Sequence, residues 1–198
     1  MGKLNENLIS LSEDFGKFDA VVIDCPWKYG SGKTGGSFKS ASDQKYATMT
    51  LNEISEIPIK SITTSNAVVF MWIPVPLKRD IIKSDIIEKW GVKYHVSMYW
   101  VKTDDPNKTG RMTMGAWFRG PGVEEVLVCS RYKAKAFHSQ ESNIIYEKPR
   151  KHSQKPEGFF KRIEPELTKT GLNNRIEIFA RGNARVGWTA YGDEVIVA

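Results

Sequence analysis

The chain has 198 residues, 40% hydrophobic and 26% charged, with a net charge of +6 and a pI near 9.2. That length suits one domain over residues 1–198 with its own core, the composition is that of a soluble globular protein, and the basic balance favours an anionic partner. With no signal-like apolar core near the start, no apolar run longer than residues 67–73, and only Cys25 and Cys129 as thiols, the expectations are a cytoplasmic protein with no membrane partner, no disulfide framework and no metal centre.

In chain order, residues 18–23 (Phe-Asp-Ala-Val-Val-Ile) predict a buried strand, being short, apolar and β-branched. It runs into Asp24-Cys25-Pro26-Trp27. Residues 28–45 are rich in Gly, Ser and Lys, which predicts a long loop of the kind that carries function. Its lysines Lys28, Lys33, Lys39 and Lys45 face one acid, Asp43. Spaced apolar residues predict a short helix over 51–59, closed near Pro58. A second buried strand over 67–73 stops at Pro74 and Pro76. Helical spacing over 77–90 ends at Gly91, and strands follow over 92–101 and 123–129, separated by an open polar segment. Residues 131–154 predict an irregular excursion with a short strand near Ile144-Ile145. A helix over 156–167 must end or kink at Pro165. Strands over 175–179 and 193–197 close the pattern. Strands alternating with helices give an α/β class with a mostly parallel sheet. Ligands of such sheets sit beyond the carboxyl ends of the strands, where Asp24 and the residues after Phe179 fall.

Gly30-Ser-Gly-Lys-Thr after a strand invites a phosphate-loop reading. That motif needs a glycine five positions before Gly32, and residue 27 is Trp. The loop also continues into Gly35-Gly36-Ser37 without an obvious helix start to hold a phosphate. An ATPase is therefore disfavoured.

Asp24-Cys25-Pro26-Trp27 carries more chemistry. Asp and Pro also favour a plain turn, with Trp27 capping the core, and these four residues alone leave turn and site level. An aromatic amine is a weak nucleophile, because its lone pair is delocalised into the ring. A carboxylate and a backbone carbonyl can accept its two N–H bonds and stabilise the positive charge that grows on nitrogen as it attacks a methyl group. An indole beside them can stack on an extruded base, an interaction worth about 1–3 kcal/mol.

These residues resemble the adenine N6 methyltransferases of the MT-A-seventy type, whose signature is Asp-Pro-Pro-Trp at a strand end. Further stretches are similar in the same order: Tyr46-Ala-Thr-Met-Thr, Phe70-Met-Trp-Ile, Trp100-Val-Lys-Thr, Gly115-Ala-Trp-Phe-Arg, Glu124-Glu-Val-Leu, His152-Ser-Gln-Lys-Pro-Glu, Arg175-Ile-Glu-Ile-Phe-Ala-Arg and Gly187-Trp. The resemblance implies a Rossmann-like fold dependent on S-adenosylmethionine, permuted so that the catalytic motif precedes the cofactor strand. It implies catalysis at Asp24, Cys25, Pro26 and Trp27, with Asp24 and the Cys25 carbonyl receiving the amino group and Trp27 walling the base pocket. Asp24, Lys155, Glu177, Ile178, Arg181, Asn183, Asp193 and Glu194 would bind the cofactor, with Glu177 on the ribose hydroxyls. Glu6-Asn7 matches too thinly to assign. Tyr46, Trp72 and Trp117 are the further substrate-side candidates, whereas His95 and His138 read as structural.

The sequence departs from the signature at Cys25, where the family has proline. Proline fixes φ and removes an N–H, so cysteine predicts a looser turn. This is the one feature favouring an inactive nucleic-acid-binding or scaffolding member over an enzyme. The expected partner is nucleic acid, DNA ahead of RNA, with a homo- or heterodimer also possible. Residues 28–45 and 147–155 supply clustered cations for salt-sensitive phosphate contacts, unless both are simply solvated faces.

Overall fold

The computed structural model describes residues 2–28, 48–105, 112–113, 120–131, 139–150, 154–192 and 194–196. In chain order its elements are α1 (Gly2–Asp14), β1 (Phe18–Ile23), α2 (Leu51–Ser55), α3 (Ile59–Ile62), β2 (Thr63–Ile73), α4 (Lys78–Lys83), α5 (Ile86–Lys89) and β3 (Val92–Lys102). After these come β4 (Met112–Thr113), β5 (Gly120–Pro121), β6 (Val123–Arg131), β7 (Ile144–Glu147), α6 (Glu157–Lys169), β8 (Arg175–Ile178), β9 (Arg181–Asn183), β10 (Thr189–Tyr191) and β11 (Glu194–Ile196).

Seven strands form the main sheet in the order β10-β8-β1-β2-β6-β3-β7. All neighbours run parallel except β6, which is antiparallel to both β2 and β3. The mostly parallel α/β architecture expected for a Rossmann-like methyltransferase is therefore present. Strand alternation splits the core into two. Val21 and Ile23 of β1 and Val69, Met71 and Ile73 of β2 bury against Leu8, Ile54, Ile59, Ile62, Ile81 and Ile86, from α1 to α5. Ala20, Val22, Val68, Phe70 and Trp72 bury on the other face, against Phe159, Phe160, Ile163 and Leu167 of α6. A sheet covered on both faces explains why its strands read as continuous apolar runs.

Several elements depart from the sequence expectation. The helix expected over 51–59 is two short ones, α2 and α3, separated at Pro58, with Thr50 and Glu53 forming a capping box on α2. The helix expected over 77–90 is a 3-10 turn at Val75–Leu77 followed by α4 and α5. The strand expected from residue 67 starts at Thr63. Pro165 does not end α6, which continues to Lys169; its four buried apolar side chains outweigh the lost N–H bond. The strand near 193–197 pairs with β9 in a separate two-stranded sheet. Neither α1 nor β10 was foreseen.

The register brings the site's carriers to one edge. Ile23 lies beside Met71 and Ile178, Tyr191 beside Ile178, and Val101 beside Val123 and Tyr146. Asp24, Pro74, Lys102, Glu124, Glu147 and Phe179 therefore emerge together.

Phe159 is fully buried and meets Phe70, Trp72 and Phe160 edge-on, at centroid distances of 5.6, 5.1 and 5.1 Å. Phe159→Ala is expected to lower stability by about 3–5 kcal/mol, measured by urea unfolding at constant m-value.

Candidate active site

The turn after β1 is held by hydrogen bonds from several sides. The Trp27 N–H donates to Cys25 O at 2.9 Å, the Met49 N–H to Pro26 O at 2.7 Å, and the Lys28 N–H to Met49 O at 3.0 Å. The Trp27 indole Nε1 donates to Trp72 O at 3.1 Å, tying the turn to β2. Cys25 is 3% exposed. Burial, reinforced by the neighbouring Asp24 charge, pushes its thiol well above the ordinary range. Burial likewise pushes the Cys129 thiol up to about 12.

Beside the turn stands Lys155, whose side chain is 10% exposed. Its Nζ lies 2.9 Å from Asp24 Oδ2 and 2.8 Å from Glu124 Oε2, and 4.7 Å from the centroid of the Trp72 ring. Glu124 also pairs with Lys102 Nζ at 2.5 Å through Oε1. Local structure fixes this lysine. Glu147, at the end of β7, accepts from the Glu157 and Gly158 N–H groups at 2.8 and 2.7 Å. It thereby occupies two of the four unpaired donors at the start of α6. Burial alone would pull the Lys155 ammonium down, but Asp24 and Glu124 outweigh it and hold it above its usual value. Burial would push Glu124 up, yet the charge of Lys155 and the hydrogen bond from Lys102 keep it below the ordinary carboxylate range. A depressed carboxyl stabilises the fold above its unfolded pKa and loses that contribution as pH falls through the folded value.

Glu177 behaves in the opposite way. Burial, with help from the Asp24 charge, raises its pKa against the pull of Arg185 and Lys155. No hydrogen bond or ion pair reaches its carboxylate among the described residues. Next along the chain, Phe179 adopts φ 60°, a left-handed conformation that costs a non-glycine residue about 1–3 kcal/mol and is concentrated at ligand sites. Ala180 N–H then bonds Tyr191 O at 3.0 Å, an approach so close that a Cβ at Gly192 would collide with Ala180. Arg185 ties this segment to α6, reaching Glu157 Oε1 and Glu164 Oε1 at 2.5 Å each. The Trp188 indole also donates to Glu164, at 2.9 Å.

Two clefts meet here. One holds about 630 Å³ of open space and is bordered by Asp24, Trp72, Lys155, Glu177, Phe179, Arg181, Asn183 and Arg185, with Arg150, Gln154, Glu157 and Phe160. The other holds about 1140 Å³ and is bordered by the whole Asp24–Trp27 turn, Thr48, Trp72–Pro76, Lys102, Val123, Glu124, Lys155 and Arg181. Asp24, Trp72, Lys155 and Arg181 belong to both, so two ligands could meet across Asp24. Ile178, expected at the cofactor, borders neither cleft. Its side chain is fully buried in the core, and its carbonyl accepts from the Asp24 N–H at 3.4 Å.

Tyr46, Trp117 and Asp193 lie outside the described residues, as do most of the 28–45 loop with its glycine-lysine decoy and His138; of Glu194 the backbone alone is described, in β11. His95 Nε2 stands 2.6 Å from Ser130 Oγ, between neighbouring strands. No cluster of three or more His, Cys, Asp or Glu able to hold a metal occurs among the described residues. Sequence reasoning assigned no role to Glu124, Lys102, Phe179 or Arg185. A carboxylate at the start of an apolar strand was the available signal for Glu124; Arg185 carried none.

The model of the MT-A70 family matches residues 18–194, from β1 through the first residue of β11. The chain belongs to the MT-A70 family. Among its relatives is the Type II methyltransferase M.MunI of Mycoplasma sp, 28% identical over 200 residues that cover 90% of this chain and 78% of the relative. The N(6)-adenine-specific methyltransferase METTL4 of Mus musculus is 27% identical over 90% of this chain and 38% of its own length. The N6-methyladenosine RNA methyltransferase MTA1 of Pyricularia oryzae is 27% identical over 99% of this chain and 52% of its own length. The MT-A70 chain thus spans most of the Mycoplasma relative but about half or less of the other two.

Two measurements test the electrostatics. Lys155→Met is expected to move the Glu124 carboxyl upward, to or above the ordinary glutamate range, in a carbon-detected NMR titration; an unmoved Glu124 would show that Lys155 does not set it. Both thiols of the native protein should alkylate at least tenfold more slowly at pH 8 than in denaturant, read by mass spectrometry.

Proposed function

We propose that the chain transfers a methyl group from S-adenosylmethionine to the exocyclic N6 amino group of adenine in nucleic acid, with DNA the favoured polymer. The observation that carries this reading is Asp24 standing where a charged cleft and a wider, partly apolar cleft meet. Family membership supports it. So do the names of the relatives, which include N6-adenine methyltransferases. The DNA preference rests on the greater share of the Mycoplasma Type II methyltransferase that the chain covers.

The charged cleft fits the cofactor. Lys155 and Arg181 border the cleft with positive charge that suits an amino-acid carboxylate, while Arg185 is engaged by Glu157 and Glu164. Asp24 and Glu177 offer acceptors for an ammonium, a sulfonium or ribose hydroxyls. Glu177, a half-buried carboxylate on the cleft wall with no hydrogen bond or ion pair among the described residues, has its acceptor capacity left for a ligand. When bound, the sulfonium supplies an electrophilic methyl group. Lys155 occupies Asp24 Oδ2, which leaves Oδ1 to accept one N–H of the amino group. The Cys25 carbonyl has spent one lone pair on Trp27 and keeps the other for the second N–H. Both acceptors stabilise positive charge developing on the nitrogen, and the fixed turn means that little reorganisation accompanies it. The net charge of +6 supplies a salt-sensitive attraction for the polyanion.

Labelled methyl transfer to duplex DNA, single-stranded DNA and RNA tests the proposal, with cofactor binding followed by calorimetry. Transfer to adenine N6 is expected, and Asp24→Ala should lower kcat by about a hundredfold or more. Full activity in Asp24→Ala would overturn the mechanism. Cofactor binding without transfer to any adenine-containing polymer would favour the scaffolding reading, and no cofactor binding would sink the enzyme reading.

A further inference from the structure

The wider cleft poses a problem of its own. A base entering it needs an apolar surface to lie against, yet Cys25, Trp27, Trp72 and Ile73 are between 1% and 6% exposed. Trp27, the obvious stacking partner, has its indole N–H committed to Trp72 O and almost none of its ring in solvent. Among the described residues of this wall, the exposed large hydrophobic belongs to the segment that leaves β2. Val75 is 42% exposed, and Pro74 and Pro76 flank it along the same cleft.

That segment is tied down at several points. Pro74 has φ −67° and ψ 125°, and each proline fixes its own φ. The Leu77 N–H closes a turn on Pro74 O at 2.9 Å, and the Lys78 N–H bonds Val75 O. Leu77 packs against the core. Lys78 Nζ reaches Glu125 Oε1, a carboxylate 1% exposed, at 2.6 Å, and Ser97 Oγ at 3.3 Å. An exposed apolar tip on a backbone tied down on one side by a buried ion pair has little conformational entropy left to lose on contact with a ligand.

We propose that Pro74-Val75-Pro76 is a substrate-positioning ledge, with Val75 packing on the face of the adenine whose amino group Asp24 receives. This rests on the adenine-methylation reading above. The three side chains of the ledge carry no polar group to read a base edge. The ledge therefore contributes affinity and orientation, while the choice of amino group stays with Asp24 and Cys25.

The test is steady-state methyl transfer to an adenine-containing single-stranded DNA oligonucleotide by wild type, Val75→Ala, Val75→Asp and Val75→Ile, alongside cofactor affinity and thermal unfolding of each. Val75→Ala should raise the oligonucleotide KM about three- to tenfold and Val75→Asp more than tenfold. Val75→Ile should stay within about twofold of wild type. Saturating kcat in Val75→Ala, cofactor affinity and unfolding midpoints should be unchanged. KM within twofold of wild type in both the alanine and aspartate variants overturns the ledge alone. So does a fall in kcat and unfolding midpoint with KM unmoved, which marks a merely structural residue. Absence of transfer by the wild type to any adenine-containing nucleic acid overturns the methylation reading, and the ledge with it.

Discussion

Lys155 holds the sheet edge together by bridging two carboxylates that arrive from different strands. Asp24 follows β1, Glu124 begins β6, and their charges would repel without the ammonium between them. A lysine 10% exposed bears a desolvation penalty of several kcal/mol, which is offset only when good partners surround it. Here it has two anions and the face of Trp72. Breaking such a group leaves buried charge unpaired, so the arrangement specifies one geometry for the Asp24 turn, the start of β6 and the segment entering α6. The Glu147 carboxylate fastens that helix start to β7, which closes the loop from strand to strand.

The one antiparallel strand of the seven-stranded sheet, β6, has a direct consequence for the site. A parallel strand presents its carboxyl end at the edge where β1 and β8 finish. β6 runs the other way, so its first residues stand there instead, and Glu124 reaches Lys155 from a strand beginning. Lys102 arrives at the same level from the end of β3, which β6 also pairs in the antiparallel sense. Glu124 and Lys102, which pair along the wider cleft, thus come from opposite ends of their own strands.

The strands were legible because burial on both faces demands unbroken β-branched and aromatic runs, as in Val68-Val69-Phe70-Met71. α1 was not, because Leu4, Leu8 and Leu11 are thinly spread among polar residues and only Leu8 is fully buried. Pro165 misled for a physical reason: the packing of Phe159, Phe160, Ile163 and Leu167 exceeds the cost of one missing hydrogen bond. Asp24, Lys155 and Glu177 were named from a motif resemblance, and the fold brings their side chains to a shared cleft. Ile178 was named from the same resemblance, and strand alternation places its side chain in the core. The link from Glu124 to Lys155 spans 31 positions and that from Arg185 to Glu157 spans 28; such pairings are made by topology and leave no local trace.

Two glutamates near Asp24 show how one residue type is driven in opposite directions. Glu124 touches both Lys155 and Lys102, and their charges defeat its burial. Glu177 is buried to a similar degree but feels Lys155 and Arg185 at longer range and Asp24 as a repelling neighbour, so its proton affinity rises. Glu124 is consequently an ionised anchor whose bonds are already filled. Glu177 is an unfilled acceptor that becomes a donor once it takes up a proton. Environments that separate the pKa values of like groups also separate their roles, and that separation falls along the division between the two clefts. The side with filled bonds keeps Lys155 and Lys102 in place along the wider cleft. The side with unfilled capacity faces the charged cleft, where a ligand's own hydroxyl or ammonium groups can satisfy it.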